Sequence, residues 1–503
     1  MSSKYEYFQH EMRYLRQSVV AFSETYPQVA SELRLSAGRS SDPHVEQLLQ
    51  SFAFMTGQLR ADLQKQRDQI PNQLLHSLYP NLMRSLPCMT VLQANVESDG
   101  ANFVNGYTLE KGRQFIGKAS RGTKGGQSES IECQFINGYD TPMWPFAVNN
   151  VKVLPKNFFP FLDKRSDVQS VVSVEVVNHG TEAVSQYPLD KLRFYIGDVS
   201  QRTQLYQLLS DKLVSCAIRV NDKVVSLDDF ADPSDTALQW MGFEDDQNVL
   251  PDDAGSQRAY RLLQEYFAFP EKFYFFDMTR LAEKAALTGA VNRFELLFML
   301  NEPSRAIQLS KNSFVLNCFP VINLFEKTFK PIQLKQNQHE YRLLADERFY
   351  LQAEVHSISE VRSISFNGKS NTISAWLGTN GRPTANQYYV TRLTDLLTPG
   401  ERGCDTFLSI YDADFSPSQP IDQTIAVKGW CNNRRLPEAL RMGQKLQLVG
   451  AGPMLNADVV EMPTKFKGAS LEGENNIKLL SQLSLNLHAL GEGKNRLELL
   501  KQM

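Results

Sequence analysis

Histidine is the first residue type to search for chemistry, because imidazole titrates near neutrality and binds metals. The seven histidines stand at His10, His44, His76, His179, His339, His356 and His488, and no two lie within ten residues of each other. That scatter reads as surface or internally bonded histidines. The six cysteines, Cys88, Cys133, Cys216, Cys318, Cys404 and Cys431, are at least 27 residues apart and form no CxxC pair. A zinc knuckle needs paired cysteines, and a disulfide framework belongs to small secreted chains, so these read as reduced, buried thiols. "NGKS" from Asn367 ends like a phosphate-binding loop, but the glycine required five residues before Gly368 is Ser363. "GEGKNR" from Gly491 has two glycines of a dinucleotide fingerprint and Arg496 in place of the third. Neither HExxH nor GxSxG occurs. The acidic stretch "GFEDDQNVLPDD" lacks further spaced cation ligands and reads as a solvated loop. Lys118, Arg121 and Lys124 lie in the Gly/Ser-rich stretch "GKASRGTKGGQSES", without interleaved aromatics, and read as a loop tip. No catalytic, cofactor-binding or metal-binding residue is therefore expected. A carboxylate pair assembled by the fold stays open, and its mark would be two convergent, perturbed carboxylates in a deep pocket.

The elements that would position any such group come from a chain of 503 residues, enough for three or four domains. A hydrophobic share of 42% and a charged share of 22% are those of an ordinary globular protein. Lys+Arg (53) against Asp+Glu (56) leaves a net charge of −3, so no global basic field condenses on nucleic acid or anionic lipid. No apolar run approaches the roughly 20 residues that span a bilayer. The charged, amphipathic start MSSKYEYFQHEMRYLR has no apolar h-region and is not read as a signal peptide. A cytoplasmic location follows from these readings.

Residues 1–86 carry helical periodicity and no β signal. Tyr5, Phe8, Met12, Leu15, Val19, Phe22 and Tyr26 alternate at spacings of three and four, an a/d seam held over three heptads until Pro27. That helix would be about 33 Å long. Asp42-Pro43 opens a second helix, with Val45, Leu48, Leu49, Phe52, Met55, Leu59 and Leu63 as its apolar stripe. Ile70-Pro71 is expected to end it, and a short third helix carrying Leu74, Leu75 and Leu78 to end at Tyr79-Pro80. The pattern allows an intramolecular hairpin or a bundle completed by helices of other subunits.

From Cys88 the period becomes two. "CMTVLQANV", "SVVSVEVVN", "KLRFYIG" and "LVSCAIRV" read as strands, and "FVNGY" at Phe103 and "FINGY" at Phe135 as hairpin turns. "RTQLYQLLSDKL" reads as a helix within the sheet region. In "YRLLQEYFAFPEKFYFFDM" from Tyr260, eight of nineteen residues are aromatic. It reads as a helix ended by Pro270 and a strand covered on both faces, with Tyr266, Phe267, Phe273 and Phe275 in the core. "NRFELLFML", "FVLNCFPVINLF", "EYRLLAD", "TFLSIYDAD", "QTIAVKGW" and "KLQLVGAG" read as further strands, and "NNIKLLSQLSLNLHALG" as a helix. The fold class is α+β and multi-domain, an N-terminal long-helix bundle element followed by β-rich domains with interspersed helices. The expected divisions are a helical element at 1–86, a β-rich domain at 87–250, an aromatic helix–strand segment at 251–335, a second β-rich domain at 336–470 and a helical segment at 471–503.

Several long segments, in order, carry a resemblance: "YEYFQHEMRYLRQSVVAFSETYP", "SDPHVEQLLQSFAFM", "LLHSLYPNLMRSLPCM", "LRFYIGD", "YRLLQEYFAFPEKFYFFDM", "FVLNCFPVINLF", "CNNRRLPEAL" and "LLSQLSLNLHAL". With them the chain resembles the TssF (VasA/ImpG) family of type VI secretion baseplate components over nearly its whole length. The resemblance implies a structural, non-catalytic protein. Two copies and one TssG would form a wedge that contacts TssE, TssK and the VgrG spike, without nucleic acid or membrane insertion. The wedge would be cytoplasmic, docked to the inner-membrane complex through baseplate partners, and would support sheath and tube assembly. The family's N-terminal helices pack in a bundle shared among subunits, which turns the reading of 1–86 toward an intermolecular bundle. Phe8, Met12, Leu15, Val19 and Phe22 on the first helix, with Phe52, Met55 and Leu59 on the second, are the expected partner-binding residues. The resemblance also implies further residues beyond the "SLNLHAL" helix. A wedge protein of another contractile tail-like device follows from the same physics, and a hydrolase with a fold-assembled carboxylate site is the remaining alternative.

Overall fold

Asp42 accepts a hydrogen bond from the His44 amide at 2.9 Å and Pro43 takes the first helical position, so the long N-terminal helix begins where a cap and a preset φ coincide. The structure is a computed structural model. It describes residues 4–36, 39–40, 42–95, 106–122, 128–228, 236–251, 258–282, 287–303, 308–335, 337–348, 350–365, 370–376, 387–396, 403–412, 423–450, 452, 456–471 and 473–491. Among the described residues the α-helices are α1 (Lys4–Thr25), α2 (Pro27–Glu32), α3 (Pro43–Leu78), α4 (Arg202–Asp211), α5 (Arg258–Ala268) and α6 (Gly473–Gly491). The chain divides into two compact units. The first joins residues 1–84 with 469–503, and the second is 85–468.

In the first unit α3 does not stop at Pro71. It runs through it as one helix of 36 residues, where two helices were expected. Proline in a helix interior forfeits a backbone hydrogen bond and costs about 3 kcal/mol. What offsets this is a clamp formed by the C-terminal segment. Asn72 Nδ2 donates to the Leu471 carbonyl at 2.9 Å, and Asn476 Nδ2 donates to Asn72 Oδ1 at 2.7 Å and to the Ser470 carbonyl at 2.9 Å. Pro71, Leu75, Asn476 and Leu483 are buried together in this unit.

The second unit is built of sheets. Six strands close a barrel in the order Cys318–Ile322, Met89–Ala94, Asn456–Val459, Lys445–Leu448, Gln114–Gly122 and Ser128–Asn137. Inside it the Phe115 and Phe319 rings lie 5.1 Å apart, and Gly117 leaves room for Leu446. Lys118 and Arg121 sit on the strand Gln114–Gly122, not in a loop tip; Lys124 lies outside the described residues. A four-stranded sheet, Leu238–Trp240, Phe275–Met278, Leu192–Ile196 and Phe314–Leu316, shares its core with a five-stranded sheet. The latter runs Lys223–Ser226, Leu213–Val220, Arg293–Leu300, Ser170–Asn178 and Phe146–Pro155. A third core lies between the sheet of Phe325–Thr328, Gln423–Asn432, Glu354–Ser365 and Ser370–Thr372 and that of Tyr341–Leu343, Cys404–Asp412, Gln387–Asp395 and Ser374–Ala375. Strands from residues 251–335 are thus spread over the barrel and three sheets. Asn317, at φ 59°, redirects "FVLNCFPVI" from sheet to barrel.

"FINGY" makes no hairpin. Gly138 keeps a negative φ and donates to the Pro320 carbonyl at 3.0 Å, while Asn137 Nδ2 donates to the carbonyls of Leu109, Glu110 and Tyr139. A type I′ turn needs positive φ at both central residues; here the asparagine side chain instead holds the neighbouring 109–113 turn. The Asn105 end of "FVNGY" lies outside the described residues.

Candidate assembly surface

Two helices of the first unit meet through small side chains. Ala53, Gly57 and Ala61, one turn apart on α3, are buried, and a Cβ built on Gly57 would stand 3.0 Å from the Phe8 backbone nitrogen. The α1 and α3 backbones touch there. Across the same hairpin Arg60 Nη1 reaches Glu11 Oε1 at 2.6 Å and Arg16 Nη2 lies 3.5 Å from Glu46. Close approach of small residues leaves the bulky residues of α3 on the outside.

Of the residues singled out by spacing, Met12 is buried, Phe8, Leu15 and Val19 are half-buried and Phe22 is at the exposed edge. Phe52, Met55 and Leu59 are 53%, 68% and 61% exposed. The same face of α3 continues through Leu48, Leu63, Ile70, Leu74 and Leu78, all exposed. Reading Pro71 as a stop had cut this stripe in two. Uncut, the 48–52–55–59–63–70–74–78 spacing marks a single apolar face along the helix. Covering five such side chains would contribute on the order of 10 kcal/mol gross, which makes this exposed apolar face the candidate interaction surface.

His76, in the last turn of α3, is held neutral. Burial first, and the Arg84 guanidinium second, bring its pKa from 6.5 down to about 4. A group whose folded pKa lies below its unfolded value stabilises the fold fully above the unfolded value, and that stability drains as pH falls through the interval. The helical unit is therefore expected to lose on the order of 3 kcal/mol between pH 6.5 and 4 through this one residue. Urea unfolding at pH 7 and pH 4.5, followed by circular dichroism, checks it. His76→Gln should remove that part of the slope, and equal slopes in both proteins would refute the assignment.

The aromatic segment departs from expectation. Phe273 and Phe275 are buried as expected, but Tyr266 and Phe267 are 56% and 72% exposed, not in the core. Helix α5 turns its charges inward. Glu265 is buried, its Oε1 accepts from the Val249 and Leu250 amides at 2.7 and 2.8 Å, and its Oε2 pairs with the buried Lys272. Arg261 is buried and pairs with Asp245 at 3.2 Å. With Arg261 and Glu265 fixing the inner face, Leu263, Tyr266 and Phe267 are left outside. Residues Pro270–Tyr274 form a 3-10 helix, and the strand begins only at Phe275.

Groups with altered acidity sit in structural networks. Glu354 is held above the usual carboxylate range by burial, yet it accepts from the Cys404 amide at 2.9 Å and faces Arg434 Nε at 3.3 Å. Asn433 of "CNNRRLPEAL" exchanges hydrogen bonds with Asn323 at 2.7 and 2.8 Å, tying barrel to sheet. Glu461 accepts from Tyr195 at 2.9 Å and pairs with Arg202, while burial first and Glu461 second push Glu271 upward. The six thiols are buried, and burial pushes Cys133 and Cys431 up to about 12, far from nucleophilic readiness at neutral pH. Among the described residues no group of three or more His, Cys, Asp or Glu is placed to hold a metal, and no helix is long and apolar enough to cross a membrane. "NGKS" before Ser370 and "GEGKNR" beyond Gly491 lie outside the described residues.

The sequence model of the family described as "Type VI secretion system, TssF" matches residues 1–503. A protein of Pseudomonas aeruginosa described as type VI secretion system component TssF1 is 24% identical over 515 residues, which takes in 97% of this chain and 80% of the relative. Among solved structures, a chain of a type VI secretion TssK–TssF–TssG baseplate subcomplex, studied by cryo-electron microscopy, superposes with a TM-score of 0.64. It is 22% identical, with 84% of this chain and 74% of that chain covered, and so speaks for the fold.

Proposed function

Because the chain belongs to the TssF family of the type VI secretion system, we propose that it is a structural wedge subunit of the secretion baseplate, joined to its partners through the helical unit. The observation that carries this reading is the uncovered apolar face of α3, Leu48 to Leu78, which one chain presents and another must cover. In this reading two copies combine with one TssG, and the wedge meets TssK, TssE and the VgrG spike, in the cytoplasm and docked to the inner-membrane complex through those partners. The action is mechanical. Helical seams fix the angles between subunits, so that sheath and tube grow on a rigid platform, and no catalytic step is assigned to the chain.

Coexpression of this chain with its TssG, followed by native mass measurement, tests the reading. The expected species carries two copies of this chain and one TssG. A chain that stays monomeric beside soluble TssG would overturn it.

A further inference from the structure

The first unit has a second unfilled surface besides the α3 stripe. A cavity of about 490 Å³ opens along one face of α1. Phe8, Met12 and Val20 supply its apolar lining, and Gln9, Arg13 and Arg16 its polar lining. Arg13 is exposed and makes no hydrogen bond or ion pair among the described residues. Arg16 reaches Glu46 only at 3.5 Å, and its Nε is buried with no hydrogen-bond partner. Two guanidiniums one turn apart thus border an apolar trough with donor capacity to spare.

We propose that this groove receives an α-helix of the bundle partner that carries a carboxylate with apolar residues one turn to either side. The inference rests on the shared-bundle reading above and adds the chemistry of the occupant. Residues three apart on a helix share a face, so Arg13 and Arg16 converge on one point of a helix laid alongside. A planar guanidinium matches a carboxylate in two parallel hydrogen bonds. Covering the groove with a purely apolar helix would strip water from Arg13 and leave its charge uncompensated, which costs more than the added apolar contact returns. An acidic occupant avoids that loss, with its flanking apolar side chains against Met12 and Val20. The α1 groove then selects the partner helix by charge, while the α3 stripe supplies apolar area.

The test uses the full chain in complex with TssG. Arg13→Lys and Arg16→Lys place an amine at each position, and a zero-length carbodiimide joins an amine only to a carboxylate in direct contact. The expected result is a cross-link from position 13 or 16 to an Asp or Glu of a partner helix, identified by mass spectrometry. The Arg13→Gln/Arg16→Gln pair should weaken the complex about tenfold at low salt, with the difference shrinking at high salt as the pairing is screened. Cross-links only within the same chain, to Glu46 or to residues 492–503, would overturn the proposal. So would an unchanged affinity of the glutamine pair. If Met55→Asp/Leu59→Asp abolishes the complex while the glutamine pair leaves it intact, the bundle stands and the acidic occupant falls. If neither pair affects the complex, both readings fall.

Discussion

Replacing Met55 and Leu59 together by aspartate is expected to abolish the complex with TssG while leaving the isolated chain as stable as before. Both side chains stand mostly in solvent, so the free chain loses almost no burial, and exposed substitutions of this kind stay within about 0.5 kcal/mol each. In the bundle the same change removes two large apolar side chains, about 3–6 kcal/mol of burial, and places two carboxylates against apolar surface. The loss exceeds a hundredfold in affinity, enough to separate the subunits at micromolar concentration. Thermal unfolding of the free chain and size-exclusion chromatography with TssG give the two readouts. Normal assembly of the double variant would sink the proposed role of α3. Leu15→Asp with Val19→Asp is a weaker instrument, because both residues are half-buried and the change also disturbs the hairpin itself.

How much of this was legible depends on which interaction decides each element. Helix starts and strands follow local rules, so the Asp42 cap, Pro43 and the period-two runs from Met89 onward were readable. Pro71 was misread because the residues that offset it, Asn476 and the Ser470 and Leu471 carbonyls, lie some four hundred positions away in sequence. The inner face of α3 escaped notice because small residues carry little hydrophobic signal. What mattered at Gly57 was the absence of a Cβ, and that shows only against the Phe8 backbone. Helix α5 inverted the usual rule. Its apolar pattern was plain, but the direction it faced was set by Glu265, whose carboxylate is satisfied inside by two backbone amides and the Lys272 amine. Of the candidate surface, the second-helix residues were found by spacing. The groove at Arg13 and Arg16 was not, since arginines on an amphipathic helix read as solvated until the cavity beside them is seen.

The single charge in the aromatic strand "FFDM" gives the largest expected effect on folding. Asp277 faces Arg193 directly across two paired strands, with Nε to Oδ1 at 2.7 Å and Nη2 to Oδ2 at 2.9 Å. The side chains are 5% and 4% exposed, and Arg193 Nη1 also donates to the Asp140 carbonyl at 2.8 Å. Every strong donor and acceptor is engaged, so the pair is satisfied, but neither charge survives burial alone. Asp277→Leu, or Arg193→Met, is expected to destabilise the sheet unit by about 3–5 kcal/mol, because each leaves an uncompensated ion in the interior. The double variant Arg193→Met/Asp277→Leu should recover most of that loss, since an apolar pair of similar volume avoids the desolvation cost of both ions. Urea unfolding followed through the sheet signal measures all three proteins, and the difference between the double variant and the summed single variants gives the coupling. Additive losses would mean that each residue acts through separate contacts. A strongly non-additive recovery would show that the charge in this strand serves its partner across the ladder and not the packing of the rings around it.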